Sequence, residues 1–521
     1  MSRISSVEQV DVVIVGAGAA GGVIADRAVA AGKQVLLLEA GPARGMSDLV
    51  SSQIWARKLK WSGPVVEEQG DEKVGHSFNS GWGTGGSAMH HYAVWPRLHA
   101  GDFDVASRHG VGLDWPLAYE ELRPYYDKAQ SDVGISGDAA REVWRPPGDK
   151  YPMPPLPVFA QGNVIGKGFE AMGLATSPIP LAVNSIEYKG RASCLYDGWC
   201  DAGCPIGALA NPLATYLGWA LAAGAQIKNR AWVTRVLHDK SGSRATGVEY
   251  ADETGERHQV MADTVVLAAF TVQTSRLLLA SSSSAHPNGL SNRNDLVGRY
   301  LMTHPAVSVY GMFEDETQPH LGATGGQLLC QENYDDKKSD DGGYGSYQWL
   351  IANAVKPNDL LGISTTRPDI YGAALDPFMK KAAKHFGNMV CIGEGIASAN
   401  NRVTLSSNKD AYGEPLASTV HNVAKSSAIM REGALAQGKA VFKAGGANEV
   451  WSGPPGSIHI MGGTVMGKSA ADSVTDEFGR CHELENLYIA GPGLFPSSGA
   501  VNPTFTLHAL ALRTAEHLFT S

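Results

Sequence analysis

The feature that most constrains this chain is a glycine triplet set between two apolar runs. Val12 to Val15 leads into Gly16-x-Gly18-x-x-Gly21, then an Ala-rich stretch to Ala31, a stop at Gly32, and a second run, Val35 to Leu38, ending on Glu39. That order predicts strand, helix, strand. Such a unit requires a parallel sheet, because its crossover helix has to cover one face. Gly16 allows the tight turn, Gly18 lets backbone approach a pyrophosphate, and Gly21 permits close helix packing. The helix N-terminus attracts phosphate, and Glu39 is placed to accept ribose hydroxyls. A dinucleotide is implied; the fingerprint alone does not separate NAD from FAD.

At 521 residues the chain exceeds the ~250–300 at which one core stops growing, so two joined domains are expected. A hydrophobic share of 43% with only 18% charged residues excludes a disordered polyelectrolyte. A net charge of −9 with no basic tract argues against nucleic acid as a partner. The lead from Met1 to Gln9 is short and polar, so no signal peptide is expected. Ala490 to Leu512 is uncharged, but Pro492, Pro496, Asn502 and Pro503 interrupt it, and a soluble chain without a transmembrane segment follows. Thr264 to Ala269 reads as a central strand with a helix starting at Ser275. From Val309 to Leu435 the strands shorten as in an antiparallel domain, with a polar, exposed loop at Asn333 to Gly345. A closing helix is expected near Leu507.

Five motifs in order carry a resemblance: Asp11 to Pro42; Gly83-Thr84-Gly85-Gly86-Ser87; Val297 to Pro305; Ser457-Ile458-His459-Ile460-Met461-Gly462-Gly463-Thr464; and Asn502-Pro503-Thr504. The chain resembles the glucose-methanol-choline (GMC) flavoprotein oxidoreductases over most of its length. The resemblance implies FAD, in an α/β fold with a discontinuous Rossmann-like FAD-binding domain (1–155, 190–305 and 450–521) and an antiparallel-sheet substrate domain (156–189 and 306–449). It implies cofactor contacts at Gly16, Gly18, Ala19, Gly21, Glu39, Ala40, Gly83, Gly85, Gly86, Ser87, Val233, Gly491, Pro503 and Thr504. His90 stands where some relatives carry a histidyl bond to the flavin, and a packed, non-covalent His is the other reading. Two departures are Phe270 where Gly is usual and the absence of an acidic residue at Ala490-Gly491-Pro492. The resemblance makes His459 the base and Asn502 its partner on the substrate oxygen; an imidazole suits the task because its ordinary pKa of ~6.5 lies near operating pH. His508 is assigned to the closing helix.

Cys194, Cys200 and Cys204, the last followed by Pro205-Ile206-Gly207-Ala208, crowd three of the six cysteines into one loop, 194–208. Three thiolates can ligate three irons, and soft ligands favour Fe-S chemistry. Zinc would need a distant His as fourth ligand, a disulfide would leave one thiol over, and buried free thiols are the plainest alternative. The spacing, with Asp102-Phe103-Asp104, Gly112 to Pro116 and Pro124 to Tyr126, resembles the catalytic subunits of FAD-dependent sugar dehydrogenases, which implies a [3Fe-4S] cluster. The function expected is oxidation of a sugar or glycoside hydroxyl, with electrons relayed through the cluster to an external cytochrome or quinone. A small partner subunit and a cytochrome-type acceptor come with that resemblance, as does either periplasmic export with the partner or a cytoplasmic location. Tyr347, Trp349, Asn353 and Glu394 are candidates for sugar contacts. The alternatives are a dioxygen-using alcohol oxidase and a non-redox lyase of the same fold.

Overall fold

The computed structural model describes residues 4–520. The first sheet is built on β1 (Ile4–Val15), α1 (Ala19–Ala30) and β2 (Val35–Leu38). β1 pairs in parallel with β2 on one side and with the strand Arg257–Leu267 on the other. Val12 to Val15 and Val35 to Leu38 are buried throughout, the unbroken apolar run that a strand covered on both faces requires. The strand Arg257–Leu267 divides its partners. Its first half pairs antiparallel with Ala245–Ala251, which continues to Trp232–His238, and its last residues pair in parallel with Leu487–Ile489. Gln226–Lys228 closes the far edge beside β2. The C-terminal helix Thr504–Phe519 packs on α1 and on Tyr119–Val133.

The second sheet is wholly antiparallel, in the order Glu449–Ser452, Met302–Met312, Phe386–Gly393, Tyr347–Ile351, Leu328–Cys330 and Ser177–Pro178, with Gly456–Met461 also on Met302–Met312. The helix Lys425–Ala444 covers one face. There Gly438 lets Trp349 in, since a Cβ at 438 would lie 2.6 Å from its Cη2. The strands alternate: Trp349, Ile351, Met389 and Cys391 enter the core under that helix, while Leu350, Val390 and Ile392 line a cavity between the two sheets. A small third sheet joins Glu67–Gln69 to the hairpin Arg402–Lys409/Pro415–Val420.

Several expectations shift. The boundaries at 305/306 and 449/450 fall inside the antiparallel sheet, because Met302–Met312 is long enough to take Gly456–Met461 along one half and Glu449–Ser452 along the other. The helix expected from Ser275 starts at Phe270, whose φ of +65° ends the preceding strand abruptly. The closing helix starts at Thr504, directly after Pro503, a residue whose fixed φ suits a helix start. The polar segment 333–345 is not simply exposed: Tyr334, Lys337 and Tyr344 are buried anchors within it.

Candidate active site

The turn after β1 is shaped by crowding. Gly16 has φ +103°, and a Cβ there would sit 2.5 Å from the Ala268 carbonyl oxygen; one at Gly21 would sit 2.2 Å from the oxygen of Gly16. No other residue fits either position. α1 carries no acidic residue in its first turn and no side-chain cap, so its leading N–H groups are left for an anion. Glu39 ties the turn together. Its carboxylate accepts the N–H of Ala17 at 3.1 Å, of Gly41 at 2.9 Å and of Gly83 at 3.2 Å, which leaves lone-pair capacity for a ribose hydroxyl. The second glycine loop is hung on the first, Gly85 N–H donating to the Ala17 carbonyl at 2.8 Å.

Of the residues expected at the cofactor and the reaction centre, Gly16, Gly18, Ala19, Glu39, Ala40, Gly86, Ser87, His90, Val233, Gly491, Pro503, Thr504, His459 and Asn502 line one elongated cavity. Gly21, Gly83 and Gly85 lie behind its wall and shape it. The cavity is mostly apolar, with buried polar atoms that lack hydrogen-bond partners among the described residues: Nε2 of His76 and of His90, both ring nitrogens of His91, Nε1 of Trp232, Nη1 of Arg276 and Oδ1 of Asn353. Orphaned buried donors and acceptors around a long apolar slot suit a flat, polar-edged ligand such as FAD. At His90, Lys60 Nζ donates to Nδ1 at 2.9 Å, so the ring carries its own proton on Nε2. Burial lowers Lys60 to about 8.

At the other end of the cavity a directional relay fixes the reactive nitrogen. His304 Nε2 lies 3.2 Å from the Ser498 carbonyl oxygen and 3.0 Å from that of Gly499. Carbonyls only accept, so the His304 proton is on Nε2 and its Nδ1 is a lone pair. His459 Nδ1 stands 2.9 Å from that lone pair and must donate, which leaves His459 Nε2 unprotonated. Asn502 Nδ2 lies 3.4 Å from this Nε2, its Oδ1 accepts from Gln348 Nε2 at 3.2 Å, and Gln348 Oε1 accepts from Gln331 at 3.0 Å. Burial holds the His459 pKa well below the usual imidazole value, with His304 adding to the effect; burial likewise brings His304 to about 4. Both rings are neutral at neutral pH. His459 is re-aimed by a bulge: Ile458 faces His304 and Met461 faces Met302 with the register broken between, and His459 takes a φ of +58°.

His304 and Gln348 carried no role in the sequence reading. His304 sits in the quoted run ending His304-Pro305, but only the strand pairing shows that it faces His459. Tyr347 and Trp349, read as sugar contacts, point the other way: both donate to Gln437 Oε1 under the helix, at 3.2 and 3.0 Å. A residue on a strand lies on the face opposite its neighbours, so Gln348 and Leu350 hold the cavity side. Asn353 does line the cavity, whereas Glu394 belongs to a separate buried cluster.

In the cysteine loop no disulfide forms. Each of the three sulfurs accepts a backbone N–H: Cys194 from Tyr196 at 3.3 Å, Cys200 from Thr324 at 3.4 Å, Cys204 from Leu209 at 3.4 Å. Burial pushes the Cys194 thiol up to about 11 and Cys200 to about 12, and Cys200 feels both of the others. Among the described residues, the only three ligand atoms lying within 4.8 Å of one another belong to Asp252, Glu256 and His258 at the surface, so the three thiols do not converge on one ion. A backbone N–H directed at each sulfur is a donor set that would suit thiolates holding an Fe-S cluster.

Two family profiles, both described as GMC oxidoreductase, match residues 10–306 and 397–511. The chain belongs to the GMC oxidoreductase family. It is 30% identical over 537 residues to the fructose dehydrogenase large subunit of Gluconobacter japonicus, covering 97% of both chains. It is 30% identical over 545 residues to 2-methyl-1,2-propanediol dehydrogenase of Mycolicibacterium austroafricanum, covering 99% of this chain and 96% of that one. Pyridoxine 4-oxidase from Mesorbium loti has the same fold, with a TM-score of 0.70 at 17% identity over 98% of this chain and 99% of that one. This GMC protein is an FAD-dependent oxidoreductase acting on alcohol or sugar hydroxyl groups. No helix among its described residues is long and apolar enough to cross a membrane.

Proposed function

We propose that this GMC oxidoreductase is a dehydrogenase of a sugar or glycoside hydroxyl that delivers electrons through a [3Fe-4S] cluster on Cys194, Cys200 and Cys204 to an external cytochrome or quinone. The observation that carries the reading is the trio of sulfurs, each already receiving a backbone N–H. FAD, when bound, supplies the hydride acceptor. The cluster supplies one-electron transfer.

The chain's own contribution lies in the relay. A substrate hydroxyl donates its proton to His459 Nε2 while its oxygen accepts from Asn502 Nδ2. The 3.4 Å between those two nitrogens is long for a direct bond and suits a hydroxyl that engages both. His304 keeps the His459 ring in the tautomer able to receive the proton, and Gln348 keeps the Asn502 amide with its N–H toward the reaction centre. The apolar edges of Leu350, Val390 and Ile392 keep water from the carbinol. We assign to the same reading a small partner subunit, as the word "large" in the name of the Gluconobacter relative suggests, and either export to the periplasm together with that partner or a cytoplasmic location.

The test is anaerobic. The purified protein is assayed for iron and mixed with a panel of sugars and glycosides while the oxidised flavin band is followed, then re-oxidised with cytochrome c or with dioxygen. Iron near three atoms per chain, bleaching by a sugar, and faster re-oxidation by the cytochrome support the proposal. An iron-free chain that reacts as well with dioxygen overturns the relay. Bleaching only by non-carbohydrate alcohols overturns the substrate class.

A further inference from the structure

Asp102, Lys337 and Glu394 form a buried ionic cluster that the relay described above does not use. They are 0%, 5% and 2% exposed. Lys337 Nζ donates to Asp102 Oδ1 at 2.9 Å, to Glu394 Oε2 at 2.8 Å and to Ser346 Oγ at 2.6 Å. The other partners of both carboxyls are donors. Asp102 Oδ2 accepts the His99 N–H and the Tyr334 hydroxyl at 2.8 Å each, and Glu394 Oε2 accepts the Ser346 N–H and hydroxyl at 3.0 Å each. Carboxyls surrounded by donors alone are ionised. Two carboxylates therefore face one ammonium, leaving one net negative charge away from water. An uncompensated buried charge is costly unless an opposite charge forms beside it.

That charge lies one residue from the reaction centre. The Tyr334 hydroxyl oxygen accepts the Ala500 N–H at 2.9 Å. A Cβ at Gly499 would lie 2.9 Å from the same oxygen and 3.0 Å from Asp102 Oδ2, while the Gly499 carbonyl accepts the His304 Nε2–H at 3.0 Å. Asp102 is thus separated from the histidine pair by a single glycine. We infer that the Asp102–Lys337–Glu394 cluster is the fixed counter-ion of the imidazolium that His459 becomes when it takes the substrate's hydroxyl proton, with Asp102 a positioning residue acting through Gly499 and His304.

The balance is simple. The O–H bond breaks and its proton goes to His459 Nε2; the electron pair of the carbinol C–H bond would leave as hydride to FAD held in the cavity; the histidine pair gains one positive charge, and cluster plus pair become neutral. Asp102 lies behind His304, with Lys337, Glu394 and Tyr334 beyond it, and the other titratable groups lining the cavity with His459 include His76, His90, His91 and Lys60. His421 bonds Thr303 at 3.2 Å, next to His304. Asp102 already acts in the required sense, raising the His304 pKa against the lowering caused by burial.

The inference rests on hydroxyl oxidation by this site, so its test has one arm that needs no turnover. Asp102→Asn removes the net charge at constant shape. In FAD-loaded protein with ¹³C-labelled histidine, the ring titrations of His304 and His459 should move about one pH unit lower, a tenfold change in proton affinity. In anaerobic stopped flow with a bleaching sugar, the acid limb should move the same way and the plateau rate fall about tenfold. Glu394→Gln, which spares the Asp102–Tyr334–Ala500 arm, should give a smaller shift of the same sign and covers the case in which Asp102→Asn does not fold. Asp102→Glu should restore the wild-type titration. Lost stability with unmoved titrations in both variants, or a shift to higher pH, overturns the inference. A moved titration without bleaching by any hydroxyl compound would sink only the reading on which it rests.

Discussion

Replacing His304 with Leu tests whether the relay, and not merely the presence of His459, sets the reaction rate. His304 Nδ1 is the acceptor 2.9 Å from His459 Nδ1, and His304 is fully buried. In the Leu variant the His459 Nδ1–H has no acceptor, so the ring is no longer held with its Nε2 lone pair toward Asn502, and turning or changing tautomer withdraws the base. An orphaned buried donor costs about 1–3 kcal/mol. At 1.36 kcal/mol per factor of ten, flavin reduction should slow by about 5- to 150-fold. The Ser498 and Gly499 carbonyls also lose their donor, so stability falls as well, and the rate has to be separated from it. The assay is single-turnover anaerobic bleaching at saturating substrate, with FAD content and thermal midpoint measured on the same sample. His304→Gln, whose Oε1 can accept from His459, should recover part of the rate. A Leu variant that keeps its FAD and reduces it at the wild-type rate would refute the tautomer argument.

Other expectations follow from the same geometry. His459→Ala should slow bleaching by ~10²-fold or more while FAD stays bound, read from the flavin spectrum and single-turnover rate. Gly16→Ala forces a methyl to 2.5 Å from the Ala268 oxygen and should yield protein without flavin, checked by the 450 nm band on the order of one FAD per chain in the parent. Cys200→Ser should leave sugar-driven bleaching intact, lower the iron content, and stop delivery to cytochrome c. Burial lowers His76 to about 3 and His304 and His508 to about 4, so each is neutral when folded and protonated when unfolded between those values and pH 6.5. Their contribution is present above pH 6.5 and is lost as pH falls, at about 1.4 kcal/mol per pH unit for each; urea midpoints that stay flat from pH 6.5 to 4.5 would contradict this.

What the sequence made legible is what local chemistry dictates. The β1-α1-β2 unit could be read because Gly16, Gly18 and Gly21 are each required by a neighbour within the same short segment, and because a doubly covered strand must be apolar throughout. His459 and Asn502 could be reached through motifs. His304 and Gln348 could not, because their roles arise from partners more than 150 residues away in sequence. The error at Tyr347 and Trp349 has one physical origin. Aromatic side chains suit a sugar site and a helix-covered core equally well, and only the strand's phase decides between them; Gly438, which admits Trp349, is far along the chain. Likewise Lys337 sits in a polar segment that composition alone assigns to solvent, yet two distant carboxylates draw it inside.

The centre takes its groups from elements with different duties. His304 and His459 come from paired strands of the antiparallel sheet, Gln348 from another strand of that sheet, and Asn502 from the entry to a helix that packs on the nucleotide-binding half. The FAD turn, by contrast, is made almost wholly from the parallel sheet and the loops hung on it. Leu350, Val390 and Ile392, which face the cavity from Tyr347–Ile351 and Phe386–Gly393, can therefore change without touching the dinucleotide turn, the core beneath Lys425–Ala444 or the Gln348–Asn502 contact, since alternate residues on each strand serve opposite faces. His304 and His459 have no such freedom, because each fixes the other's proton. The arrangement accounts for how one scaffold can keep a single proton-accepting device while the compound whose hydroxyl reaches it varies: the base is locked by long-range pairing, and the pocket is written on every second residue of two neighbouring strands.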